Sequence, residues 1–136
     1  MGEILMAGRF LKAAVVDASA ITLSGLCVVH CLALPVLAAF LPLAGAWSEA
    51  EWIHKGFVAF ALPLSGFAII RGLSGPGWKV FVSLAVAGLC LLIAAAFVEA
   101  LHEFETPITV TGALMLASAH IWRWTRHTAC EAGCEL

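Results

Sequence analysis

Long runs of apolar residues constrain this chain more than any other feature of its sequence. A helix needs about 20 apolar residues to cross the hydrocarbon core of a bilayer. Four such runs cover about residues 18–43, 52–70, 78–98 and 107–124 of the 136. Only 12% of the residues are charged, whereas a soluble domain carries about 25%. The sequence therefore predicts an all-α integral membrane protein with four transmembrane helices.

The segments between these runs are short, which favours antiparallel neighbours in an up-and-down bundle. Such a bundle uses nearly the whole chain, so we expect a single membrane domain over residues 1–136 whose surroundings are the lipid bilayer. The formal net charge is only -2, and no basic stretch indicates a nucleic-acid partner. Whether the small residues of the fourth run face another helix of the same chain or a second copy in a homo-oligomer stays open.

The charged residues predict the orientation. Four spans place the N-terminus, the 71–79 segment and the C-terminus on one side, and that side holds six of the seven basic residues: Arg9, Lys12, Arg71, Lys79, Arg123 and Arg126. The other side holds Lys55 and five acids: Glu49, Glu51, Glu99, Glu103 and Glu105. Because basic residues are retained on the cytoplasmic side, both termini should be cytoplasmic. Asp17, at the start of the first run, is expected to cap a helix there.

The strongest chemical signal is the segment Cys27-Val28-Val29-His30-Cys31. On a helix, Cys27, His30 and Cys31 stand at i, i+3 and i+4 and share one face near the middle of the bilayer. Thiols one turn apart are too distant for a disulfide but can hold a soft d10 ion between them, with His30 as a third ligand. Two thiolates and a divalent cation sum to zero charge, which lowers the desolvation penalty. Pro35 leaves the Cys31 carbonyl without its helical donor and predicts a kink.

Other thiols and imidazoles have simpler interpretations beside the functional one. Cys90, in the third run, is expected to be a buried small hydrophobe. His120, in the fourth run, either completes the site around Cys27 across the bundle or forms a packing hydrogen bond.

A second cluster is predicted at the outer end of the third run. Glu99, His102 and Glu103 repeat the i, i+3, i+4 spacing, and His54 should lie at the same level. Carboxylate and imidazole together suit zinc or another borderline divalent ion. The alternative is an ordinary solvated helix end.

The chain ends in a segment, residues 126–136, that we expect to be a mobile cytoplasmic tail. Its thiols, Cys130 and Cys134, can accept a metal by ligand exchange in a reducing compartment. With a cysteine pair in the first span, a following proline and a tail ending Gly-Cys-Glu-Leu, the whole chain resembles the MerC mercury-resistance family. The resemblance departs at one point, because that family shows a closer Cys-x-x-Cys pair where this chain has Cys-x-x-His-Cys.

The resemblance implies a carrier of the bacterial inner membrane, not an enzyme, with no permanent cofactor. It would bind mercuric ion at Cys27 and Cys31, pass it to Cys130 and Cys134, and deliver it to a cytosolic acceptor or reductase. The added histidines and glutamates keep zinc import open as an alternative. From other classes, a membrane thiol oxidoreductase or a b-type haem protein, with His30 and His120 as axial ligands, also stays open.

Overall fold

The computed structural model describes residues 2–38, 40, 51–72 and 77–133. These residues form four α-helices, α1 (Gly2–Ala38), α2 (Glu51–Gly72), α3 (Trp78–Phe97) and α4 (Glu105–Gly133), with a 3-10 helix (Glu99–Phe104) between α3 and α4. The described part of the chain contains no strand. The all-α prediction is confirmed.

Three of the four helices contain a segment long and apolar enough to cross a membrane. These segments are Leu11–Ala33 in α1, Trp52–Arg71 in α2 and Trp78–Phe97 in α3. Among the described residues α4 does not supply a fourth, because polar side chains lower its hydropathy. The predicted helix cap at Asp17 is wrong, because α1 begins at Gly2. The residues between Gly2 and Asp17 contain no helix breaker other than glycine, so the helix extends through them.

The outward surface of the helices is apolar. Large hydrophobic side chains point away from the bundle along its length, as Val29 (61% exposed), Phe60 (67%) and Ile70 (74%) show. Cys90 is exposed as well, so the expectation that it is buried is wrong. Buried polar side chains are found inside instead, among them Asp17, His54 and His120. This inverted distribution is the one expected for helices surrounded by lipid.

Neighbouring helices run antiparallel. The C-terminal half of α1 meets the start of α2 through Cys31 and His54. The end of α2 lies near the N-terminal half of α1. Arg123 of α4 connects them, since it donates both to the Ala68 carbonyl and to Asp17. Phe81, near the start of α3, contacts His120 in the second half of α4. α4 also packs against α1, so each helix packs closely against two others, and polar side chains connect α2 and α4 across the bundle.

α3 and α4 approach each other through two glycines. A Cβ added at Gly88 would lie 2.8 Å from the Gly112 carbonyl oxygen, and one added at Gly112 would lie 2.9 Å from the Gly88 carbonyl oxygen. Backbone atoms cannot yield as a flexible side chain can, so both positions require glycine. This contact joins the middle of α3 to the first third of α4, as small residues do between membrane helices.

Candidate metal centre

The two thiols of the first predicted span lie side by side inside the bundle. Cys27 is 3% exposed and Cys31 is 4% exposed, and both are free thiols. Their common face follows from the one-turn spacing on a continuous helix. α1 continues as a helix through Pro35 to Ala38, while the kink predicted there stays a prediction.

His54 brings an imidazole from α2 to this pair. Its Nε2 lies 3.4 Å from the Cys31 sulfur. The ring is almost fully buried, with His54 9% exposed. The structure therefore places His54 beside the thiols and not only at the level of the outer cluster.

A carboxylate holds the other side of the His54 ring. Glu105 Oε1 lies 2.6 Å from His54 Nδ1. A carboxylate can only accept in such a contact, so Nδ1–H donates and Nε2 faces the Cys31 sulfur. Glu105 is the first residue of α4, which suits a negative side chain because the helix N-terminus is the positive end of its dipole. We name Cys27, Cys31, His54 and Glu105 the thiol layer.

His30 lies next to the thiol layer without a polar contact for one of its nitrogens. Its ring centroid is 5.3 Å from that of His54 and 5.9 Å from that of Phe57, both in edge-to-face geometry. Within the described part of the chain, its buried Nε2 has no hydrogen-bond partner. An unpaired buried nitrogen beside two thiols is chemically available as a further metal ligand.

The structure does not gather the outer cluster into a site. Glu99, His102 and Glu103 lie on the 3-10 helix with exposed side chains. His102 approaches Glu105, with Nε2 and Oε2 4.0 Å apart. Across the described residues, no three His, Cys, Asp or Glu side chains already converge as a preformed metal site.

A second buried polar group lies closer to the N-terminus of α1. His120 Nδ1 donates to Asp17 Oδ1 at 2.7 Å, and Arg123 Nε lies 3.0 Å from both Asp17 oxygens. Arg123 also donates to the Ala68 carbonyl at 2.7 Å, and the Ser65 hydroxyl lies 3.4 Å from His120 Nε2. We name Asp17, His120 and Arg123 the ionic layer.

The two layers are separate. Asp17 and Cys27 are ten residues apart on one continuous helix, which corresponds to about 15 Å at 1.5 Å per residue. His120 belongs to the ionic layer, with both ring nitrogens engaged by Asp17 and Ser65. The structure therefore does not bring His120 to Cys27, nor does it place His120 opposite His30 as a haem-ligand pair would require.

The tail lies only partly within the described residues. α4 continues to Gly133, so most of the segment expected to be a mobile tail is helical. Cys130 is in this helix, and Cys134 lies outside the described residues.

Sequence reasoning assigned no site role to Glu105, Asp17 or Arg123. Their partners come from other helices, 51 residues away for Glu105 and His54 and 106 for Asp17 and Arg123. The available signal was their position: each is a charged residue within two residues of the boundary of an apolar run, where a partner is needed.

Comparison with known proteins gives one result. The family model described as MerC mercury resistance protein matches residues 17–125. No curated protein and no solved structure matches the chain.

Proposed function

The chain belongs to the MerC mercury resistance protein family, and we propose that it imports mercuric ion across the bacterial inner membrane by binding it at Cys27 and Cys31. The observation that carries this proposal is a buried pair of free thiols beside an imidazole, inside a bundle with an apolar exterior. Thiolates select soft cations over Mg²⁺ or Ca²⁺. Because two thiolates neutralise one divalent ion, the ion can be held away from water.

The proposal includes four membrane crossings with both termini in the cytoplasm. The fourth crossing would be made by α4, whose polar residues His120 and Arg123 are buried against other helices. Towards the outside it presents Leu114 (52% exposed) and Ile121 (47%). Glu105 and Arg126 are 21 residues apart, about 31 Å along a helix, close to the hydrocarbon thickness of about 30 Å. The six-to-one distribution of basic residues supports the orientation.

Release would occur towards the cytoplasm. In the family resemblance, Cys130 and Cys134 receive the ion from Cys27 and Cys31 and pass it to a cytosolic acceptor or reductase. Exchange between ligands would spare the ion from being bare in hydrocarbon. Cys130 lies 25 residues after Glu105 in α4, about 38 Å along the helix, so the ion has to pass the ionic layer before it reaches the second pair of thiols.

Matched cysteine variants test the proposal. Cells producing Cys27→Ser/Cys31→Ser should lose accumulation of radiolabelled mercuric ion above the level of cells lacking the protein, because a hydroxyl is a poor ligand for a soft ion. Cys90→Ser should accumulate mercury as the intact protein does, since its thiol faces away from the bundle. Protein in the membrane fraction is quantified for each. Full accumulation by the double variant would refute thiolate-mediated import.

The other functions draw no comparable support. A zinc site made of Glu99, His102 and Glu103 would need side chains that are exposed here to converge. A thiol oxidoreductase favours Cys-x-x-Cys pairs, whereas Cys27 and Cys31 are one residue farther apart. Haem ligation by His30 and His120 would need two rings on one iron, but His120 lies in the ionic layer.

A further inference from the structure

We propose that Glu105 is a positioning residue for metal capture: it holds His54 so that Nε2 becomes the third ligand of an ion bound by Cys27 and Cys31. This inference rests on the proposed function, because it assumes that the two thiols bind the ion. It adds a ligand from α2 and a supporting carboxylate from α4. The ion then connects α1 and α2 directly, and α4 indirectly through Glu105, instead of sitting on one helix.

The separation of the donor atoms is already that of two ligands on one ion. A sulfur at about 2.3 Å and an imidazole nitrogen at about 2.1 Å from a tetrahedral zinc ion lie about 3.6 Å apart. The Cys31 sulfur and His54 Nε2 are 3.4 Å apart in the structure. An ion can therefore replace the shared hydrogen without a large movement of either side chain. A softer, larger ion would need only a modest widening of this gap.

Glu105 fixes both the tautomer and the orientation of His54. By accepting Nδ1–H at 2.6 Å, it leaves the Nε2 lone pair directed at the sulfur. Metal-binding histidines commonly donate their second N–H to a carboxylate in this way, which also makes the ligand more basic. Glu105 is only 16% exposed at its side chain, so water competes little for the contact.

The rival explanation is structural. Glu105 could serve only to join the start of α4 to α2 through His54, with no effect on an ion. A structural role predicts that removing the carboxylate lowers stability but leaves the ligands of bound mercury unchanged. The readout must therefore report the atoms bonded to the ion.

The experiment compares purified intact protein with Glu105→Ala, Glu105→Gln, His54→Ala and the control Glu103→Ala, whose side chain is exposed on the 3-10 helix. Each is loaded with one equivalent of mercuric ion. X-ray absorption at the mercury edge then gives the sulfur and nitrogen neighbours, and competition with a small dithiol gives the affinity. Thermal unfolding of the metal-free proteins is measured in parallel.

The intact protein and Glu103→Ala should show two sulfurs and one nitrogen. Glu105→Ala should keep both sulfurs, lose the nitrogen as His54→Ala does, and bind about 10–100-fold more weakly. Glu105→Gln should recover most of the nitrogen signal and affinity, because its amide oxygen can accept the same hydrogen bond. If Glu105→Ala does not yield folded protein, Glu105→Gln against His54→Ala carries the comparison, and only the latter should lose the nitrogen.

Two results would overturn different claims. The inference fails, while the thiol site stands, if mercury in the intact protein has only sulfur neighbours. It also fails if Glu105→Ala retains the nitrogen neighbour at unchanged affinity. Where Glu105→Ala does not fold, the same result for His54→Ala has the same meaning. If Cys27→Ser/Cys31→Ser binds mercury as tightly as the intact protein, the proposed function itself fails.

Discussion

Two buried histidines have the same hydrogen-bonding pattern and different surroundings. His54 contacts a carboxylate through Nδ1 at 2.6 Å and a thiol through Nε2 at 3.4 Å. His120 contacts a carboxylate through Nδ1 at 2.7 Å and a hydroxyl through Nε2 at 3.4 Å. The second pattern includes a fixed cation, Arg123, on the carboxylate. A guanidinium there neutralises Asp17, so the ionic layer is suited to hold helices together and the thiol layer to receive a cation.

Removing the cation of the ionic layer should destabilise the protein strongly. Arg123→Gln leaves the Asp17 carboxylate buried without its charge partner, and we expect a loss of about 3 kcal/mol in the free energy of unfolding. Arg126→Gln is the control, because Arg126 is exposed and stacks on the Trp122 ring at 4.4 Å. Its loss should stay below about 1 kcal/mol. Denaturant unfolding in detergent micelles measures both, and equal losses would show that the buried pair contributes nothing special.

At this scale the sequence could predict neighbours on one helix but not partners between helices. The shared face of Cys27 and Cys31 followed from a spacing of one turn. The contact between His54 and Glu105 depends on how α2 and α4 are rotated about their axes, and hydrophobic periodicity is weak where almost every residue is apolar. The prediction that Asp17 caps a helix failed because α1 begins several turns before Asp17. The boundary of the apolar run is therefore not the boundary of the helix.

At the scale of the helix, the apolar runs predicted four helices, and small residues determine how closely they pack. Gly88 and Gly112 bring α3 and α4 into backbone contact. The spacing of apolar residues alone does not predict which residues of the two helices meet. In α4, the average hydropathy does not reveal how polar and apolar side chains are divided between the inside and the outside of the bundle. Its threonines, His120 and Arg123 lower the average, but His120 and Arg123 are buried and the exposed side chains of α4 include Leu114, Ile121 and Trp122.

The α3–α4 contact gives a matched pair of substitutions. Gly88→Ala places a methyl group against the Gly112 carbonyl oxygen, which must move. We expect a loss of about 1–3 kcal/mol in the free energy of unfolding. Gly66→Ala, in α2, meets nothing within 4 Å and should be neutral or slightly stabilising, because alanine favours a helix. Thermal unfolding in the same detergent compares the two, and a Gly88→Ala protein as stable as Gly66→Ala would refute the close approach.

At the scale of the whole molecule, the two polar layers give the bundle a direction. The thiol layer lies where α1 ends and α2 and α4 begin, and the ionic layer lies about 15 Å away along α1. If the side with most basic residues is cytoplasmic, the thiol layer is nearer the outer face and the ionic layer is nearer the cytosol. An ion that enters from outside would then meet His54, Cys31 and Cys27 first.

This direction requires that α4 cross the membrane, and side-specific labelling tests that requirement. Glu103→Cys and Arg126→Cys place single thiols at exposed positions at either end of the crossing segment, in protein whose five native cysteines are replaced by serine. A membrane-impermeant maleimide should label Glu103→Cys in intact cells, and should label Arg126→Cys only after the inner membrane is permeabilised. The protein without cysteines gives the background. The reverse pattern would invert the bundle and with it the proposed path. Labelling of both from one side would mean that α4 does not span the membrane. The other helices alone would then have to shelter the buried His120 and Arg123 from water.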